Sequence, residues 1–224
     1  MHFEVLVEDQ SGKKALKNLI PKIIGTDQHT FTIYAYKGLG HIPSNMQTPA
    51  GARNRMLLAH LPRLLQGYGK TFAAYPDSTQ YAVIVVCDLD NNDKSIFIRD
   101  LLSVLQACHP KPETRFCLAI EEGEAWLLGD IPAIKAAYPN AKNNVLSNYL
   151  NDSICGTWEL LADAIYPGGR SRLKAKGGRV VGTEKSRWAL KITPHMDVEH
   201  NASPSFAYFR TQLQCLAGVS GASN

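Results

Sequence analysis

The sequence predicts an α/β protein: a mainly parallel sheet between helices, continued by a helical C-terminal extension. Two observations lead there. Short apolar runs without polar alternation, "VIVVC" and "FCLAI" among them, read as strands buried on both faces. These runs alternate with segments of helical spacing up to about residue 130, after which only helical patterns follow.

Each element has its own warrant. "FEVLV" at 3–7 is short, apolar and β-branched, hence a strand. In "SGKKALKNLIPKIIG", Ala15, Leu16, Leu19, Ile20, Ile23 and Ile24 fall at helical spacing, and Gly25 is a stop signal. "FTIYAY" at 31–36 is a second strand, and residues 37–52, rich in Gly, Pro and polar residues, are a loop. "RNRMLLAHLPRLLQGYG" reads as a helix interrupted near Pro62. "YAVIVVC" at 81–87 is the third strand, "SIFIRDLLSVLQAC" a helix, "RFCLAI" at 115–120 the fourth strand, and "EAWLLGD" starts another helix. "IPAIKAAYP", "TWELLADAIYP", "EKSRWALKITPHM" and "SFAYFRTQLQCLAG" are then helices joined by Gly/Pro turns, with a frayed tail "GVSGASN". The expected division is an α/β core over 1–130 and a helical extension over 131–224 packed on it.

Bulk properties narrow the class. The chain has 224 residues, 45% hydrophobic and 20% charged, an ordinary globular composition. No run of about 18 apolar residues is present, so no membrane partner is expected. The N-terminus lacks the layout of a signal peptide, and the five cysteines form no C-x-x-C pair. Both favour a cytoplasmic protein with reduced thiols. The net charge of +4 is uneven: residues 168–191 hold eight Lys/Arg (Arg170, Arg172, Lys174, Lys176, Arg179, Lys185, Arg187 and Lys191) and one Glu. Two readings of this block stand: a surface that meets the phosphates of DNA or RNA, or a solvated flexible loop punctuated by glycine.

Acids crowd one edge of the predicted sheet. Glu8 and Asp9 follow strand one, Asp88 and Asp90 follow strand three, and Glu121, Glu122 and Glu124 follow strand four. Ligands of parallel sheets bind at that edge. Three carboxylates about 5 Å apart would repel by roughly 3 kcal/mol per pair at an effective dielectric near 20. Protons, basic partners or a cation must offset this. Oxygen-only donors suit Mg²⁺ or Mn²⁺, with Glu8, Asp88, Asp90, Glu122 and Glu124 as candidate ligands. Such an ion binds phosphate oxygens and activates water in phosphodiester cleavage. Lys37, after strand two, would add a positive charge on the phosphoryl group, making Glu8, Lys37, Asp88 and Asp90 the candidate catalytic set.

The bland readings are a first-turn helix acid for Glu124, a cap for Glu122, a solvated Glu121, a turn role for Asp130, a core position for Trp126, and capping of the last helix by Asn201, Ser203 and Ser205. Other chemistries lack their motifs. "HMDVEH" is not H-E-x-x-H, "GYGKT" lacks the earlier glycine of a phosphate loop, and no G-x-S-x-G elbow occurs.

Glu8 after strand one with "DLD" at 88–90 after strand three resembles the Toprim fold, a Rossmann-like domain of topoisomerases, primases and some nucleases. The resemblance implies a glutamate in acid/base chemistry or metal binding and an Asp-x-Asp pair that holds Mg²⁺. Asp9 stands where many such domains have glycine. More of the chain resembles the domain-of-unknown-function family DUF4276, through "LVEDQSGKKAL", "VVCDLDNND", "AIEEGEAWLLGD" and "HNASPSFAYF". That resemblance implies a Toprim-like domain of phage-defence gene clusters. The expected function is therefore a metal-dependent nuclease or phosphodiesterase. The alternatives are a non-catalytic or conditionally active partner of an ATPase-containing defence complex, and a synthase of small nucleotide messengers.

Overall fold

A computed structural model describes residues 1–43 and 56–219. Four strands, β1 (His2–Val7), β2 (Thr30–Ala35), β3 (Tyr81–Asp88) and β4 (Thr114–Ala119), form one sheet. All three pairings are parallel, in the order β2-β1-β3-β4. The protein is thus an α/β protein with helices on both faces of a parallel sheet, consistent with a Rossmann-like fold. Among the described residues no strand follows β4.

The unbroken apolar runs follow from this layering. Phe3, Val5, Val7, Ile84, Val86, Cys117 and Ala119 enter one buried cluster, while Leu6, Val83, Val85, Cys87, Phe116 and Leu118 enter another. Alternate residues of each strand face opposite sides, and both sides are covered. The first face is closed by α1 (Gln10–Ile24) together with the helices after β4, and the second by α2 (Leu57–Ala73) and α3 (Lys94–Gln106).

Helix α1 begins where its sequence allows. Asp9 caps it by accepting from the Gly12 amide at 2.8 Å and the Ser11 hydroxyl at 2.7 Å, and Gly25 ends it at φ 70°. Gly12 is dictated by proximity: a Cβ there would sit 2.5 Å from Val7 Cγ2, so glycine lets the helix start directly over the end of β1. Helix α2 corrects an expectation, because it runs unbroken through Pro62. That proline sits early in the helix and forfeits only the bond to the Leu58 carbonyl, while buried Leu57, Leu61 and Leu65 hold the axis on the sheet. The segment expected to open this helix, 53–55, lies outside the described residues, as do most of the expected 37–52 loop and most of the expected frayed tail.

Beyond β4 come α4 (Glu124–Leu128), α5 (Ile131–Ala137), α6 (Asn143–Leu146), α7 (Thr157–Ile165), α8 (Gly169–Lys174), α9 (Gly178–Ile192) and α10 (Pro204–Ala217). They share one buried cluster with the sheet, through Trp126, Ile134, Leu161, Trp188, Phe206 and Phe209. The basic stretch expected to be either a phosphate surface or a flexible loop is helical, forming α8 and α9. Among the described residues no helix is long and apolar enough to cross a membrane.

Candidate functional site

The chain leaves β1 for β2 on one side and returns past β1 to β3 and β4 on the other. The order therefore reverses between β1 and β3, and a crevice opens at the carboxyl ends of these two strands, where ligands of open α/β sheets bind. Parallel register sets Val7 beside Val86, so Glu8, one residue further along β1, and Asp88, two residues further along β3, meet at the mouth of this crevice. The Glu8 Oε2 accepts from the Asp88 backbone amide at 3.4 Å. Asp90 is exposed at φ 48°, its amide bonded to the Glu121 carbonyl at 2.9 Å, and its charge is felt by Glu8.

Burial and mutual repulsion weaken these acids. Burial first, then the Asp90 charge, pushes the Glu8 carboxyl up to about 7, despite the Asp88 amide and the Lys185 charge. Asp88 is raised well above the usual carboxylate range by burial and by Glu8. The Glu122 carboxyl is pushed up to about 7 by burial, against the pull of Lys185. A small cavity of about 40 Å³ lies among Glu8, Asp88, Gly123, Glu124, Trp126 and Lys185.

The acids after β4 have a basic partner. Lys185 of α9 reaches Glu124 at 3.0 Å and Glu122 at 3.6 Å. Burial works against its ammonium, but Glu124, Glu122 and Asp88 outweigh burial and raise its pKa. Of the ways to reconcile the crowded acids, a basic side chain is present, and the raised carboxyl pKa values favour protons as well. Glu121, expected in solvent, turns away from the site. Its carboxylate accepts from the amides of Gly156 at 2.8 Å, Thr157 at 2.9 Å and Cys155 at 3.2 Å, at the start of α7.

The motif residues downstream anchor α4. The Trp126 indole donates to Ser205 Oγ at 2.9 Å, and the Asn201 amide donates to the Trp126 carbonyl at 2.8 Å. Ser203 caps α10 through the Phe206 amide at 3.2 Å, and Asp152 accepts from Ser203 Oγ at 2.7 Å and the Ser205 amide at 2.6 Å. Asp130 caps α5 through the Ala133 amide at 2.9 Å and also accepts from the Asp197 amide at 2.7 Å. Gly129 is required because a Cβ would lie 2.2 Å from Asn201 Oδ1.

Lys37 follows β2 at the same edge. It is exposed and has no ion pair with the described residues, although its neighbour Gly38 donates to the Glu8 carbonyl at 3.1 Å. Of the eight basic residues, Lys185 alone enters the carboxylate pocket. Arg170 pairs with Asp163, Lys174 with Glu159 and Arg187 with Glu184. Lys176 lies over the Tyr166 ring and Lys191 over Tyr138. Arg172 and Arg179 are exposed and have no ion pair with the described residues.

Among the described residues no group of three or more His, Cys, Asp or Glu side chains is arranged to hold a metal ion. A two-carboxylate mode still fits, since Mg²⁺ commonly takes one or two carboxylates and completes its octahedron with water and phosphate oxygens. Glu8 and Asp88 are the oxygen donors available for that mode, whereas Glu122 and Glu124 already face an ammonium. Sequence reasoning assigned Lys185 to nucleic acid and missed its place among the acids. It also missed Asp152 and Glu121, whose cross-chain caps leave no local spacing to read.

The family described as "Domain of unknown function (DUF4276)" matches residues 7–214. No curated protein and no solved structure matches the chain.

Proposed function

The chain belongs to the family DUF4276, and from the chemistry of its sheet edge we propose that it is a metal-dependent nuclease, a hydrolase of phosphodiester bonds in nucleic acid. The observation that carries this reading is the meeting of Glu8 and Asp88, 80 residues apart in the chain, at the strand-order reversal. With no ion bound, burial and the Asp90 charge push the Glu8 carboxyl up to about 7, which suits it to general acid/base work, a role it gives up where it ligates the metal. Glu8 and Asp88 would hold Mg²⁺ or Mn²⁺, with the Asp90 charge at the rim adding to the negative field; the ion when bound supplies Lewis-acid stabilisation of the phosphoryl oxygens. Lys37, unpaired among the described residues, is free to meet a phosphate. Exposed Arg172 and Arg179 would attract the polyanion.

The Glu8 and Asp-x-Asp placement supports a Toprim-like relationship, and the phage-defence setting is part of the same proposal. Lys185 favours a second reading, a conditionally active subunit awaiting a partner such as an ATPase, because an acid site neutralised from within is a quiet one. The test is incubation of purified protein with DNA and with RNA, tRNA included, in Mg²⁺ or Mn²⁺. Cleavage that the Asp88→Asn/Asp90→Asn variant loses is the expected result. Cleavage unchanged in that variant overturns the assignment.

A further inference from the structure

Glu124 is among the most buried acids of the chain, its side chain 4% exposed, and Glu122 beside it is 21% exposed. A carboxylate so enclosed needs a lasting counter-charge. Among the described residues one cation supplies it: Lys185, whose side chain is 16% exposed. The ammonium is delivered by helix packing, since α9 lies along α1 and also touches α4. Thr157 Oγ1 donates to Glu122 at 3.4 Å, which further fixes the acceptor pair.

We infer that the Lys185 ammonium is a tethered substitute for a second metal ion, filling the cation position on Glu122 and Glu124. The chain then offers one divalent site, on Glu8 and Asp88, and Glu122 and Glu124 are not ligands while Lys185 is in place. The lysine brings one positive charge where a metal would bring two, and it cannot be removed by a chelator. It also fixes where a divalent ion can settle, because Glu122 and Glu124 are closed to exchange while the ammonium is in place. The first half of the inference stands on the ion pairs alone; the count of one rests on the proposed nuclease site.

The experiment counts Mn²⁺ bound per chain by electron paramagnetic resonance in the wild type, Lys185→Met, Lys185→Arg and Lys185→Met/Glu124→Gln. The wild type is expected to bind one equivalent, Lys185→Met one more, Lys185→Arg the wild-type number, and the double variant the wild-type number again. Equal counts in the wild type and folded Lys185→Met overturn the inference. A wild type that binds none while Lys185→Met binds one removes the Glu8/Asp88 site but upholds the lysine's role. Should Lys185→Met fail to fold alone, Mn²⁺ must restore its cooperative melting, and absence of that rescue also overturns the inference.

Discussion

Glu8 Oε2 lies 3.4 Å from the backbone nitrogen of Asp88, so the last turns of two parallel strands share one acidic mouth. Strand register, with Val7 beside Val86, brings the two backbones together, and the Glu8 side chain completes the contact.

Stability without divalent ions should therefore fall as pH rises. The folded Glu8 carboxyl is raised to about 7 from an ordinary 4.5. Between these values the folded chain keeps a proton that the unfolded chain releases. Stability is full below the unfolded value and is lost as pH climbs through the folded one. Asp88 and Glu122 act in the same direction. Denaturant titrations in a chelator should show a loss on the order of 1–3 kcal/mol from pH 5 to pH 8, reduced in Glu8→Gln.

Added Mg²⁺ or Mn²⁺ should raise the melting temperature more at pH 8 than at pH 5, because metal and proton compete for the same oxygens. Asp88→Asn should abolish most of that gain. A gain equal at both pH values, or retained in Asp88→Asn, would place the ion elsewhere.

Gly129→Ala should destabilise the fold by roughly 1–3 kcal/mol, the usual cost of forcing atoms into a packed interior. The new methyl would meet the Asn201 amide oxygen and the Ser203 backbone. Urea unfolding measures it. A change below about 0.5 kcal/mol would show that the Asn201 loop yields freely.

Glu121→Ala should cost about 1–2 kcal/mol by uncapping α7, whose first amides it accepts. Glu121→Gln keeps one acceptor oxygen and should recover part of the loss.

Arg172→Glu/Arg179→Glu should weaken nucleic-acid binding, and the slope of log affinity against log salt should shrink by about one for each phosphate no longer neutralised. Lys174→Gln is the comparison, since that lysine is engaged by Glu159 and the Trp158 ring. Binding unaffected by the double charge reversal would remove this surface from the interface.

Much of the fold was readable because strands covered on both faces announce themselves as continuous apolar runs. "YAVIVVC" and "RFCLAI" correspond to β3 and β4 within a residue at each end. Asp88 and Glu8 were readable for a related reason: charges at the end of such a run can point only to the edge. Pro62 misled because the burial of Leu57, Leu61 and Leu65 against the sheet offsets the lost backbone bond and the crowding that a proline brings inside a helix. Lys185 was indistinguishable from seven other basic residues, since only the packing of α9 on α1 and α4 selects it. Asp152 and Glu121 cap helices far along the chain, and such caps depend on loop paths that no local pattern encodes.

The tie between Trp126 and the start of α10 also bears on how the protein is made. The acids of the sheet edge are synthesised first, and the indole that seats α4 finds Ser205, Phe206 and Phe209 only after a further 79 residues or more have followed it. A polypeptide stopped within α9 carries every sheet-edge carboxylate and none of that clamp. The seating of α4, and with it of Glu124, is thereby a late event of folding that waits for α10.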